Sequence, residues 1–339
     1  MSTAMDGASS QPDRDQPAKL SPRSKVLQAV GYAVGLAILV WCVWYASSQG
    51  DWSRVRSANP WLIGAIVAVS AGSIFLNGVL FRLTLNPVRP RARGANDRRG
   101  APTVATPLPT LGAVTAVNWV CTLANFAPLR LGMIARVTYH MRVDGLRFIE
   151  IVNWFALDLM TFLLPITGVI AATFLVRSFG WTWIALAVGI TAVLTFLVWW
   201  IAHLRIVPVQ FLESARIIGD GPTLLLCLPI RCVDLALNGV RTILAAQILG
   251  LNLDYADSFA LACTGLLASL GPLGRLGFRE AGFALVAQLL AAKGFEGGID
   301  AAFVQLSIID SAGEAIAALI GGVPLSIWMT RRLIRAKRA

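Results

Sequence analysis

The chain has 339 residues, of which 56% are hydrophobic and only 14% are charged, and its formal net charge is +11. A soluble domain is nearer to half apolar and a quarter charged, so this composition argues against a soluble protein. Several apolar runs reach the ~20 residues that a helix needs to cross a bilayer. The basic residues lie next to these runs, which favours anionic lipid headgroups over nucleic acid as partners.

The predicted elements are apolar helices separated by polar or charged segments. Residues 1–25, rich in Ser, Pro, Asp and Gln, are expected to form a disordered cytoplasmic tail. A basic loop at 82–107 follows the first two predicted helices, and a charged stretch at 129–147 follows a softer apolar segment at 108–128. The predicted helices cover residues 26–46, 61–81, 148–176, 181–203, 223–249, 256–271, 275–293 and 300–330, and a basic cytoplasmic tail, 332–339, ends the chain.

The segment at 108–128 is apolar but contains more polar residues than the spanning helices, and we call it a soft segment. It carries four polar side chains on one face. Thr115, Asn118, Thr122 and Asn125 are spaced by three, four and three positions, which places them on one stripe of a helix.

Two phrases recur in the two halves of the chain. "FLNGV" at 75–79 matches "ALNGV" at 236–240, and "PLRLG" at 128–132 resembles "PLGRLG" at 272–277. We therefore divide the membrane part into two copies of one unit. The first membrane repeat covers residues 26–177, including the basic loop, and the second covers residues 181–331.

The Pro/Gly phrases predict a break in each unit. Proline ends a helix, and broken backbone at membrane depth must be buried in protein or line a watery cavity. Each soft segment is therefore predicted to be a re-entrant hairpin, so that each unit crosses the membrane three times. The odd count inverts the second unit, as in many transporters. If the soft segments cross fully instead, the repeats are parallel, and this alternative stays open.

The predicted fold is thus all-α: a polytopic membrane helix bundle of two inverted repeats, each with a re-entrant broken helix. The positive-inside rule places the N-terminal flank, the 82–107 loop and the C-terminal tail in the cytoplasm. We expect a multi-pass protein of the cytoplasmic (cell) membrane with both termini cytoplasmic. Asp254 and Asp257 would then lie in an outer loop.

Charged side chains within or beside the apolar segments form the candidate site. An intramembrane charge costs about 2.5–3.5 kcal/mol on insertion scales, so such groups face the protein interior or a cavity. They can form a path for a lipid headgroup or a structural ion-pair network, and the arginines at the breaks can instead snorkel to the interface. The candidate substrate-binding residues are Arg130, Arg136, Arg231, Asp234, Asn238, Arg241, Arg279 and Glu280.

Acids on the last helix of each unit form a second candidate set. Buried carboxylates can carry protons, or they can pair with the arginines. These candidate proton or ion-pair residues are Glu150, Asp158, Asp310 and Glu314. The sequence contains no nucleophile elbow, nucleotide-binding fingerprint or metal-ligand motif, so we expect no enzyme activity, no metal and no cofactor.

Two stretches resemble a known family. "NFAPLRLGMIARVTYHMRVDG" at 125–145, followed by an acid-bearing helix, and "GPLGRLGFREAG" at 271–282 resemble the lysylphosphatidylglycerol synthase transmembrane region, a flippase-like membrane family. The resemblance covers about residues 26–331. It implies a stand-alone member without the aminoacyl-transferase domain that follows in the synthases. The chain departs from the family pattern at Met133, at "WFALD", which keeps only Asp158 of a Glu-Arg-x-x-Asp, and at Gly274-Arg275.

The charges and the resemblance together imply a lipid flippase or transporter-like protein. Its expected partners are membrane lipids, with an anionic or isoprenoid-phosphate lipid as the substrate. Two alternatives stay open. One is a membrane-embedded enzyme that acts on a headgroup. The other is a non-catalytic accessory subunit that holds a membrane glycosyltransferase or another lipid-modifying partner.

Overall fold

The computed structural model describes residues 52–88, 108–126, 131–176, 178–204, 216–270, 278–291 and 299–338, together with scattered positions between 33 and 48. The positions between 33 and 48 are helical, within the first predicted helix. The N-terminal tail, most of the basic loop and both Pro/Gly turns, at 127–130 and 271–277, lie outside the described residues.

The described residues form helices and contain no strand. The elements are α1 (Ser53–Arg56), α2 (Pro60–Thr84), α3 (Leu111–Ala124), α4 (Leu131–Arg142), α5 (Phe148–Leu175), α6 (Trp181–His203), α7 (Gly221–Ile248), α8 (Tyr255–Ala268), α9 (Phe278–Ala291) and α10 (Ile299–Arg338). Five of them, α2, α5, α6, α7 and α10, are long and apolar enough to cross a membrane. The prediction of an all-α, polytopic membrane bundle is confirmed at this level.

Polar caps set the starts of several helices. The Asn59 side chain accepts a hydrogen bond from the backbone of Trp61, so α2 begins at Pro60, where a missing N–H costs nothing. Asp220 and Asp254 cap α7 and α8 in the same way. Asp254 thus ends the connection between α7 and α8 as a helix cap, because its carboxylate satisfies an amide that has no partner within the helix. Asp257, which was predicted to lie in the same loop, instead lies in the first turn of α8.

The two helices that carry the repeated "LNGV" phrase pack against each other in opposite directions. Near the middle of the pair, the Asn238 amide donates to Ser73 Oγ at 3.2 Å. Four residues further along α2, Asn77 Oδ1 accepts from Arg231 at 2.6 Å. As the residue number rises along α2, the residue number of the partner on α7 therefore falls. This shows that α2 and α7 are antiparallel.

The short helices α3 and α4 form an antiparallel pair, which we call hairpin 1. A Cβ added at Gly132, near the start of α4, would lie 2.0 Å from the Cys121 carbonyl oxygen near the end of α3. One turn further along α4, Arg136 donates to Asn118, one turn back on α3. Helix α3 has 14 residues, which is about 21 Å and shorter than the ~30 Å hydrocarbon core.

Helices α8 and α9 form a second pair, hairpin 2, with the same arrangement. A Cβ at Gly282 would contact Ala268, and a Cβ at Gly265 would meet the ring of Phe283. Contacts near the end of α8 are thus made by residues near the start of α9, so these helices are also antiparallel. Helix α8 has 14 residues as well.

Apolar clusters hold the connecting segments at the two ends of the bundle. At one end, Leu85 and Val88 after α2 pack with Leu146 before α5 and with Ile217 before α7. At the other end, Arg54 donates to the Leu249 carbonyl oxygen at 2.6 Å, which ties α1 to the end of α7.

The ends of α3 and α8 lie near the middle of the long helices. Phe126, just after α3, packs against a cluster that contains Ile74, midway along α2. Leu266, near the end of α8, packs against a cluster that contains Leu235, midway along α7. The packing therefore brings these two helix ends towards the centre of the bundle.

Candidate functional site

A cavity of about 330 Å³ lies at the centre of the bundle, between the described parts of the two hairpins. We call it the central cavity. Its walls combine amides, charged groups and aromatic rings from α2, α3, α4, α5, α7, α8 and α10. The lining residues include Ser73, Asn77, Phe81, Asn118, Thr122, Asn125, Met133, Arg136, Phe155, Phe162, Asp234, Asn238, Leu270 and Glu314.

Arg136 is the cation among the described residues of this lining, and it is only 7% exposed. Its guanidinium carbon lies 3.7 Å from the centroid of the Phe81 ring, and one edge donates to the Asn118 amide oxygen. Asn118 is oriented by its own donation to the Ile74 carbonyl oxygen at 2.7 Å. Within the described part of the chain, Arg136 forms no ion pair, so its charge remains available to the cavity.

The first charged cluster, which we call the Arg231 cluster, joins α2, α5 and α7. Arg231 donates to Asp158 at 3.0 Å and to Asp234 at 3.1 Å. Asp234 also accepts from Ser73 Oγ at 2.6 Å and from the Asn77 amide at 3.1 Å. Asp234 thus has three donors, whereas Asp158 accepts from Arg231 alone among the described residues.

The second cluster, the Arg279 cluster, ties hairpin 2 to α7 and α10. Arg241 donates to Asp310 at 2.7 Å and to Glu314 at 3.1 Å. Arg279 donates to the same Asp310 and, at 3.1 Å, to Glu314. Two cations and two anions therefore neutralise one another in a buried site, and Glu314 also lines the central cavity.

The remaining sequence-predicted residues lie in different places. Asn238 donates to Ser73 and lines the cavity, whereas Glu280 is buried and accepts from Ser311 at 3.0 Å. Glu150 pairs with Arg147 at 2.9 Å at the exposed start of α5, away from the buried arginines. Arg130 lies outside the described residues.

Burial decides between two interpretations of the arginines near the hairpin turns. Arg136 and Arg279 are 7% and 1% exposed. They therefore do not snorkel to an interface. Arg231, Arg241 and Arg279 pair with carboxylates, as a structural ion-pair network requires. Among the described residues, Arg136 has no carboxylate partner, so this interpretation does not apply to it.

The polar stripe predicted on α3 faces the centre of the bundle. Asn118, Thr122 and Asn125 line the central cavity. Thr115 instead contacts the helix backbone of α2, where a Cβ at Gly78 would lie 2.8 Å from its hydroxyl oxygen. Within the described residues, this face of α3 is thus directed at the cavity and at α2.

Sequence reasoning missed Ser73 and Phe81 as residues of the site. A serine and a phenylalanine in an apolar helix carry no distinctive signal. Ser73 precedes Asn77 of the "LNGV" phrase by one helical turn, so the repeat was the one pattern that pointed towards it. Among the described residues, no three His, Cys, Asp or Glu side chains are grouped as metal ligands.

The comparisons with known proteins give one match. The sequence model of a family described as the lysylphosphatidylglycerol synthase TM region matches residues 30–307. The matched range contains both hairpins and the Arg231 cluster, and it ends three residues before Asp310. No curated protein and no solved structure matches the chain significantly.

Proposed function

Because the chain belongs to the lysylphosphatidylglycerol synthase TM region family, we propose that it moves a lipid with an anionic, phosphate-bearing headgroup across the membrane through the central cavity. The carrying observation is Arg136, a buried cation that faces the cavity and whose partner among the described residues is an amide rather than a carboxylate. A buried charge of this kind is costly unless a counter-charge is present. A bound anion supplies it.

The surroundings of Arg136 suit a phosphate. The Phe81 ring covers one face of the guanidinium, and Asn118 engages one of its edges. The remaining N–H groups stay in the plane of a rigid fork, which can hold two phosphate oxygens at once. A volume of about 330 Å³ falls in the range of about 300–1,000 Å³ that is usual for small-molecule sites.

The edges of the cavity suit a lipid rather than a free solute. Met133 is 47% exposed next to the turn of hairpin 1, and Leu270 is 40% exposed next to the turn of hairpin 2. Both residues also line the central cavity. In the proposal, the headgroup enters between them while the acyl chains remain outside, in contact with apolar surface.

We further propose that the two halves are inverted repeats. Asp234 follows Ser73 by 161 residues, and Asn238 follows Asn77 by the same interval. Asn77 donates to Asp234, and Asn238 donates to Ser73, so the two contacts are reciprocal. Parallel repeats would make α2 and α7 parallel, whereas these helices are antiparallel. With inverted repeats, the two hairpins approach the cavity from opposite ends, as alternating access requires.

The test is lipid exchange by the purified chain in vesicles. Fluorescently labelled phosphatidylglycerol is incorporated in both leaflets, and an impermeant reductant is added outside. We expect the protein to bring inner-leaflet label to the outside faster than in protein-free vesicles, and Arg136→Gln to lose most of this effect. The matched control is Arg142→Gln, on the same helix at an exposed position, which should retain it.

Two outcomes would count against the proposal. Exchange by Arg136→Gln at the rate of the unchanged protein would remove Arg136 from the site. If no anionic or isoprenoid-phosphate lipid moves faster than in empty vesicles, while the protein co-purifies with a membrane transferase, the accessory-subunit function replaces this one.

A further inference from the structure

We infer that the anionic headgroup crosses together with a proton, and that Asp158 is the group that carries this proton. The inference rests on the proposed function, because it concerns the same cavity. It adds a second transported species, the proton.

The first argument is the charge of the empty cavity. The Arg231 cluster pairs one arginine with two carboxylates, Asp158 and Asp234, so it carries one excess negative charge. Without a ligand, Arg136 balances this charge from a distance. A phosphodiester headgroup bound to Arg136 would take up that positive charge and leave the excess negative charge of the cluster uncompensated, in a region that is poorly screened. One proton added to the cluster removes this excess charge.

The second argument identifies the carboxylate that accepts this proton. Protonation of Asp234 would disturb donations from Ser73, Asn77 and Arg231. Asp310 receives both arginines of the second cluster and is fully buried. Asp158 accepts one hydrogen bond among the described residues, and its side chain is 16% exposed. Of these three carboxylates, it therefore gains a proton at the smallest loss of hydrogen bonds.

The third argument is position. Asp158 lies on the α5 face that carries Phe155 and Phe162, one turn before and one turn after it, and both rings line the cavity. The charged groups that act on Asp158 are Arg231 and Asp234 from α7 and Arg136 from α4. Helices α2, α6 and α8 also pack against α5, and within the described residues they direct no charge at Asp158.

The two ligands are thus linked through the same arginines. In the empty cavity, Asp158 competes with a phosphate for the positive charge of Arg136 and Arg231. When the phosphate binds Arg136, a proton from water adds to the Asp158 carboxylate, and Arg231 keeps Asp234 as its partner. When the phosphate leaves, the proton returns to water. No covalent bond of the lipid changes.

The first test follows protons during binding. A short-chain phosphatidylglycerol is added to the purified full-length chain in weakly buffered detergent with a pH indicator. Linkage predicts uptake of about one proton per bound lipid near neutral pH. Asp158→Asn should bind the lipid without proton uptake, because its neutral amide imitates the protonated carboxyl group. Glu150→Gln, on the same helix but outside the cavity, should take up protons like the unchanged protein.

The second test is the pH dependence of exchange in vesicles. The rate should rise as the pH falls, by up to about tenfold per pH unit, and then level off. Asp158→Asn should exchange lipid at that upper rate at every pH, whereas Asp158→Glu should restore the dependence. An Asp158→Asn variant that retains the full pH dependence or the proton uptake would overturn the inference. If the unchanged protein exchanges lipid at a rate that does not depend on pH, only the coupling of lipid to proton movement is overturned. If the unchanged protein exchanges no lipid, the proposed function is overturned as well.

Discussion

Arg136 donates a hydrogen bond to the amide oxygen of Asn118, where the other three buried arginines of the described chain donate to carboxylates. The Asn118 side chain differs from that of an aspartate by one group, since an amide nitrogen takes the place of one carboxylate oxygen. An amide orients the guanidinium without neutralising it, so the positive charge stays available to a ligand. Asn118 is thereby a positioning residue for Arg136.

The first prediction converts this amide to a carboxylate. Asn118→Asp has nearly the same shape, and it should pair with Arg136 as Asp234 pairs with Arg231. A hydrogen bond to a charged group contributes about 1.5–3 kcal/mol, so we expect lipid exchange in vesicles to fall about ten- to a hundredfold. Asn252→Asp, at an exposed position between α7 and α8, should leave the rate unchanged. A rate for Asn118→Asp equal to that of the unchanged protein would show that the charge of Arg136 is not used.

The second prediction separates stability from transport. Arg279 bridges hairpin 2 to α10 through Asp310 and Glu314. Its removal takes away one of the two arginines that pair with these buried carboxylates, which should cost roughly 3 kcal/mol of unfolding free energy. Arg279→Gln should therefore lower the apparent unfolding temperature in detergent, whereas Arg136→Gln should not. The reverse order of the two variants would contradict the assignment of these arginines to different roles.

The membrane helices were predictable because hydropathy alone determines them. The predicted segments at 61–81, 148–176 and 181–203 correspond to α2, α5 and α6 within a few residues. The end of the chain differs more, since α10 continues to Arg338 beyond the predicted end at 330. The basic residues after position 330 end the apolar pattern. Because arginine, lysine and alanine favour a helix, the helix continues beyond the end of the apolar segment.

The candidate site was predictable as a set of charges but not as a set of contacts. Arg231, Asp234 and Asn238 stand out because ionisable groups are rare in apolar helices. Which carboxylate each arginine meets depends on packing between helices far apart in sequence, as with Arg279 and Asp310. Among the described residues Arg136 forms no ion pair, unlike the other buried arginines. This difference follows from the same packing and could not be seen in the sequence.

The third prediction concerns the closure of hairpin 1. A methyl group at Gly132 would overlap the Cys121 carbonyl and the Asn125 side chain, at 2.0 and 2.4 Å. Gly132→Ala should therefore separate α3 from α4 and cost about 1–3 kcal/mol of unfolding free energy. Gly112, near the start of α3, has no atom within 4 Å of an added methyl group.

Gly112→Ala is thus the matched control, and it should be neutral or slightly stabilising, because alanine is the better helix former by about 0.5–1 kcal/mol. Both variants are compared by thermal unfolding in detergent. Equal stabilities for the two variants would show that α3 and α4 do not approach as closely as described.

The fourth prediction assigns the two ends of the bundle to the two sides of the membrane. Asn86 is exposed after α2 and precedes the arginine-rich segment 89–107, which the positive-inside rule places in the cytoplasm. Asn252 is exposed after α7, at the end of the bundle where Arg54 binds the Leu249 carbonyl. In a parent chain whose native cysteines are replaced by serine, Asn86→Cys should react with an impermeant maleimide only when the cytoplasmic side is accessible. Asn252→Cys should react from outside in intact cells. Reaction of both sites from one side would contradict the placement of α2 and α7 as antiparallel spanning helices, and the opposite pattern would reverse the orientation while leaving the inverted repeats in place.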